Sequence, residues 1–221
     1  MIGVASMSGA PGVTTLAYAL ALAAHATLLE LDASGGDLTS LLRLPPDPGL
    51  VSLAAEVRRN RGADVLGRNA QMLPAGVAVI AAPARPDRAS AVLSALAPAL
   101  PEVLKEVPAH MPIVADLGRL TGPSREFAAL TDRLLVLTRP RMPDLVHLEG
   151  LAEAVPDAEL ILMGRGPYPP GEITAALGLP VTAHVRHDPA ARALLEGRRH
   201  RTRLTRAAAE IAATLMEPAR A

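Results

Sequence analysis

Ser8-Gly9-Ala10-Pro11-Gly12-Val13-Thr14-Thr15 joins an apolar run, Ile2-Gly3-Val4-Ala5, to a run of good helix formers, Leu16-Ala17-Tyr18-Ala19-Leu20-Ala21-Leu22. Strand, glycine-rich turn, helix is the geometry that points free backbone N–H groups and a helix N-terminus at an anion. The full form of such a loop, G-x-x-x-x-G-K-[ST], adds a lysine for the β and γ phosphates and a hydroxyl for magnesium. Here Gly12 and the Thr14 hydroxyl are kept, while Met7 stands at the first glycine and Val13 at the lysine. The segment has the shape of a phosphate cradle without its charge, since valine offers neither a cation nor a donor. The plainer alternative is a strand–turn–helix with glycines at the bend.

Replacement of that lysine by arginine does not explain the loop. Lys105 is the only lysine, against 21 arginines, yet no arginine stands beside Val13 in sequence. At 221 residues the chain suits one α/β domain, so residues 1–221 are expected to form a single unit. Half of the residues are hydrophobic, but Tyr18, Phe127 and Tyr168 are the only aromatics. The core must be built from Ala, Leu and Val, and no aromatic platform is available for stacking bases. A formal net charge of zero removes any global attraction to nucleic acid or to anionic membrane. The absence of cysteine rules out disulfides, thiolate metal sites and cysteine nucleophiles. No apolar run reaches the length of a membrane span and no basic leader precedes the first strand, so a cytoplasmic protein is expected.

Apolar, β-branched runs alternate with helical patterns along the chain. Strands are expected at 2–7, 27–31, 77–82, 112–117, 133–138, 159–163 and 181–185. Helices are expected near 13–24, 38–43, 51–60, 87–105, 124–131, 144–155, 171–177, 188–197 and 203–216, with prolines confined to the loops. This alternation specifies an α/β fold: a doubly wound, mostly parallel sheet of about seven strands with helices on both faces.

Two acids stand where such a sheet places chemistry. The second expected strand runs into Glu30-Leu31-Asp32-Ala33-Ser34-Gly35-Gly36-Asp37-Leu38. A carboxylate at the carboxyl end of a parallel strand sits at the ligand crevice, where Asp32 can orient a water beside a γ-phosphate. Equally, Asp32 and Asp37 suit turn and cap positions before a short helix. Pro112-Ile113-Val114-Ala115-Asp116-Leu117-Gly118 is an apolar strand closing on an acid, which would place Asp116 opposite Thr14 to hold Mg²⁺ through water. Each signal is common alone. Their order along the chain gives them weight: loop after the first strand, acid after the second, acid after a later one.

With those residues in hand, the chain resembles the ParA/MinD family of deviant P-loop ATPases, whose loop reads K-G-G-x-G-K-T-T. Laid on that loop, the family's signature lysine falls on Ser8, its second glycine on Ala10 and its Walker lysine on Val13; Gly9, Gly12, Thr14 and Thr15 match. The resemblance implies a P-loop NTPase-like domain with a phosphate-binding loop of Gly9, Ala10, Pro11, Gly12, Val13, Thr14 and Thr15. It also implies Asp32 as the acid that positions water, and Thr14 and Asp116 at magnesium. ATP or ADP with Mg²⁺ is the implied cofactor, and the missing charge leaves open that none binds. Three segments are similar to the pilus-assembly localisation branch of the CpaE/TadZ kind: Leu31-Asp32 through Leu38, Gly76 through Pro83, and Leu135-Val136-Leu137-Thr138-Arg139-Pro140. The departures are both lysines and the adenine-reading Asn, which is absent from Leu162-Met163-Gly164-Arg165.

The remaining features take plain readings. His184, His187 and Asp188 suit a loop and a cap better than a metal site, which would need further ligands. Arg198, Arg199, Arg201, Arg203 and Arg206 read as a solvated stretch leading into a helix. In that last helix Leu204, Ala208, Ile211 and Leu215 form a small stripe suited to docking on the sheet rather than on a bilayer. The function expected is a scaffold or positioning factor with weak or no ATP hydrolysis, working through protein partners and a homodimer. A slow Mg-ATPase and a nucleic-acid-binding partition factor are the alternatives.

Overall fold

Strand alternation decides how this molecule is layered. In the computed structural model, which describes every residue except 10, 11, 63, 74, 156, 197–200 and 217–221, the central strands are buried on both sides. They are β1 (Ile2–Ser6), β2 (Thr27–Glu30), β5 (Ile113–Arg119), β6 (Arg133–Thr138) and β7 (Ala158–Met163). Val4, Leu28, Val114, Leu135 and Ile161 point to one core layer, and Ala5, Leu29, Ala115, Val136 and Leu160 to the other.

The strands β3 (Gln71–Met72), β4 (Ala78–Ile80) and β8 (Val181–Val185) complete one eight-stranded sheet in the order β3-β4-β2-β5-β1-β6-β7-β8. Every pairing is parallel except β3 with β4. The expected sheet of about seven strands therefore gains β3, an antiparallel edge strand too short to leave an alternating pattern. β1 lies between β5 and β6, and the chain winds one way to β2 and the other way to β7 and β8. The loop after β1 thus opens at the switch point, where doubly wound sheets form their crevice.

Helices cover both faces. On one lie α1 (Val13–Ala24), α2 (Asp37–Leu41), α11 (Arg192–Leu195) and α12 (Arg203–Met216). On the other lie α3 (Leu50–Glu56), α4 (Asp64–Arg68), α5 (Pro86–Leu96), α6 (Leu100–Glu106), α7 (Pro123–Ala128), α8 (Met142–Leu145), α9 (Leu151–Ala154) and α10 (Pro170–Leu177).

Three expected long helices are interrupted. The one at 87–105 divides into α5 and α6 around Pro98, which has no N–H to continue the helical hydrogen bonds. That at 144–155 divides into α8, a 3-10 turn at Val146–Leu148 and α9, with Gly150 at φ +74 starting the last piece. The stretch 188–197 begins as a 3-10 turn, Pro189–Ala191, before α11. Prolines are thus not confined to loops, and α4 was not legible in the sequence.

Leu204, Ala208 and Ile211 of α12 are buried and Leu215 is half-buried, as the stripe suggests. The helix docks chiefly on α1, touching β8, rather than lying across the sheet. No helix among the described residues is long and apolar enough to cross a membrane.

Candidate functional site

The loop leaves β1 and enters α1 through Gly12, whose φ of +111 lies where only glycine sits without strain. The Gly12 carbonyl accepts the first helical bond from Leu16 N–H at 2.8 Å. No side chain caps α1 and no acid stands in its first turn. The N–H groups at its start therefore face a cavity of about 300 Å³, with the positive end of the helix dipole behind them. Gly9, Gly12, Val13, Thr14, Thr15 and Asp32 all line this cavity, joined by Asp37, Gly118 and Arg119. Six of the expected site residues thus meet in space. Ala10 and Pro11 lie outside the described residues.

Asp116 is fully buried and does not form part of the wall; Thr14 and Gly118, which do, contact it. Period-two alternation puts its side chain on the same face as Val114, the face covered by α1, and so beside Thr14. Gly118 N–H donates to Asp116 Oδ1 at 3.0 Å. Asp116 Oδ2 has no partner at hydrogen-bonding geometry among the described residues, although the nearby Thr14 hydroxyl favours its charged form. Burial dominates and pushes the Asp116 carboxyl up to about 7, with the charges of Asp32 and Asp37 adding to the rise. A buried carboxylate oxygen without a donor among the described residues, behind a Thr14 hydroxyl that lines an acidic cavity, suits a hard cation such as Mg²⁺.

Asp32 accepts from Ser34 N–H at 2.7 Å and packs over Gly118. Its carboxyl is also raised, mainly by burial, with the Ser34 hydrogen bonds opposing. The turn contact and the cavity position coexist in one residue.

Glu30 escaped the sequence reading. It pairs in register with Asp116 across β2 and β5, and is buried on the α1 face. Its Oε1 accepts from Leu38 N–H at 3.0 Å at the start of α2, and its Oε2 from Ala82 N–H at 2.9 Å. Desolvation, reinforced by Asp116, pushes its carboxyl up to about 8. The signal available was one acid inside Thr27-Leu28-Leu29-Glu30-Leu31, an otherwise nearly apolar run.

At the positions that the resemblance gives to lysines the chemistry is quiet. Val13 is 5% exposed, and Ser8 donates its hydroxyl to Asp144 Oδ1 at 3.2 Å. Away from the cavity, Asp188 serves as a cap, accepting from Ala190 N–H at 3.1 Å and Leu204 N–H at 3.2 Å. His184 Nε2–H donates to the Gly164 carbonyl at 2.6 Å. Arg201, Arg203 and Arg206 are exposed, whereas Arg198 and Arg199 lie outside the described residues.

Sheet order and a glycine-rich loop at the switch point define a doubly wound, mostly parallel α/β fold. That fold is the one shared by ParA and MinD ATPases. A ParA family ATPase from Chlorobium tepidum superposes with a TM-score of 0.78 at 18% identity, covering 97% of each chain. The cell-division ATPase MinD of Pyrococcus furiosus gives 0.74 at 20% identity, again over 97% of each chain. The septum site-determining protein MinD of Pyrococcus horikoshii, solved with Mg-ADP, gives 0.68 at 19% identity, over 98% of this chain and 95% of that one. No family model matches the sequence, and no curated protein matches it.

Proposed function

We propose that this chain is a degenerate ParA/MinD-type protein, a scaffold or spatial-positioning factor with weak or absent ATP hydrolysis. It acts as one domain in the cytoplasm, through protein partners and a second copy of itself. Its setting is pilus or secretion-system assembly, cell-pole placement or chromosome partitioning. The fold shared with a septum site-determining MinD supports the positioning role.

The observation that carries the reading is the polarity of the loop cavity. Asp32 and Asp37 line it and Asp116 stands behind them, while the one cation among its described wall residues, Arg119, donates its Nε–H to the Met7 carbonyl at 3.0 Å. Phosphoryl transfer needs positioning and positive charge around the transferred group. In this reading the N–H groups at the start of α1 hold phosphate, Thr14 and Asp116 hold Mg²⁺, and Asp32 orients water. Bound there, Mg²⁺ would supply the charge neutralisation that the loop lacks. Asp116 Oδ2, without a partner at hydrogen-bonding geometry among the described residues, favours a second reading, a slow Mg-ATPase.

Calorimetry with ATP, with and without Mg²⁺, tests the cradle in the wild type and in Val13→Lys. The variant is expected to bind more tightly by about 1.5–3 kcal/mol, the contribution of one charge-assisted contact. Unchanged affinity in a folded variant would mean that the loop is no phosphate cradle.

A further inference from the structure

β1, β2, β4, β5 and β6 run parallel, so their first residues gather at the end of the sheet opposite the loop cavity, where antiparallel β3 also finishes. Two cavities open there, of about 570 and 310 Å³. Val107, Met111 and Ile113 line both, which makes them two halves of one groove. Its walls reach from Met72 in β3 to Arg133 in β6, across six neighbouring strands. Five inter-strand spacings of about 4.8 Å make it roughly 24 Å long.

The lining is apolar and adaptable. Met1, Met72 and Met111 contribute unbranched thioether side chains, which repack around varied shapes. Leu104, Leu130 and Leu215 add aliphatic wall. Three charged side chains stand in the described walls, and each is already paired within the chain. Lys105 meets Glu102 at 2.7 Å, Arg133 meets Glu159 at 2.5 Å, and Asp132 meets the Met1 ammonium. Charge complementarity therefore asks for an occupant whose buried face is apolar and uncharged.

The opening sets the occupant's shape. Met72 is 69% exposed and Met111 45%, so the groove covers only one side of what it holds. A small molecule normally has most of its surface enclosed. β3, with two residues, offers an added strand almost no ladder. An amphipathic helix fits both the lining and the opening, since one face is apolar and the other stays in water. At about 1.5 Å per residue, roughly sixteen residues of helix span the groove. We propose that this groove receives such a helix from a protein partner, at the end of the sheet away from the loop cavity. The site does not depend on what the loop cavity holds.

NMR of the full chain with labelled methionine methyls tests it. Met1, Met72 and Met111 line the groove, while Met7, Met142 and Met163 lie toward the carboxyl ends of the strands. The probe is a synthetic helix-forming peptide of about sixteen residues, with leucine at alternating third and fourth positions and equal glutamate and lysine elsewhere. Of these six methyls only the three in the groove should shift, saturably, and a scrambled peptide of the same composition should shift none. Met111→Asp and Met72→Asp, read from the remaining groove methyls, should each weaken binding at least about tenfold. Met142→Asp, at a comparably exposed methionine outside the groove, should stay within about twofold. Melting temperatures check that each variant is folded. Absence of a saturable shift overturns the proposal, as does equal weakening by Met142→Asp. Saturable groove shifts with dodecyl maltoside below its micelle concentration, and none with the peptide, would make this a small-molecule site and overturn it. Groove shifts on simple dilution of the free chain would do the same by placing a second copy there.

Discussion

Asp32 packs directly on Gly118: a Cβ added at Gly118 would stand 1.9 Å from Asp32 Oδ2 and 2.5 Å from Oδ1. The same glycine holds φ at +56 and donates its N–H to Asp116. One residue without a side chain therefore seats both acids of the site, one over its Cα and the other on its amide.

Gly118→Ala should consequently disturb the site as well as the fold. Alanine there is strained by its φ and must push Asp32 off its Ser34 contact. A loss of roughly 1–3 kcal/mol is expected in urea unfolding, the scale of a residue forced into the left-handed region. Unchanged stability would show that Asp32 moves aside freely and is not seated as described.

The buried pair Glu30 and Asp116 gives a pH dependence with a definite sign. Burial raises their carboxyls from 4.5 to about 8 and from 3.8 to about 7. Across that window the folded state keeps protons that the unfolded chain has released. Their stabilising contribution is therefore full below the unfolded values and is lost as pH rises through the folded ones. Asp116→Asn removes one of these titrations. Between about pH 5.5 and about pH 8.5 its melting temperature should fall less steeply than that of the wild type. Parallel curves would contradict the assignment.

Ile211 is buried where α12 meets α1, within the same core layer as Leu16 and Leu20. Ile211→Asp places an unpaired charge in that contact and should cost several kcal/mol, roughly 3 or more. Thermal melting measures it. Wild-type protein should stay in the supernatant when anionic vesicles are pelleted. Sedimentation with the vesicles, lost on truncation after Arg203 while the remainder stays folded, would show a membrane tether instead.

Much of this was legible because it is local. The glycine turn after β1 and the position of Asp32 were readable since each directly follows an apolar strand, Asp116 because it is the one acid within another, and strand–helix alternation dictated the sheet. Pro98 and Gly150 broke helices whose apolar spacing ran on past them, because spacing records a face and not the continuity of hydrogen bonds. β3 has only two residues and no period. Glu30 looked like the end of a strand, and its role depends on Leu38 and Ala82 arriving from elsewhere.

In the proposed reading the loop cavity offers too little positive charge for phosphoryl transfer. Steady-state ATP hydrolysis by the purified chain, with Mg²⁺ present, tests it most directly. Turnover is expected to be indistinguishable from that of buffer. Turnover of about one per second, within the ordinary range of enzymes, and abolished by Asp32→Ala, would contradict the account by showing that another group stands in for the missing lysines.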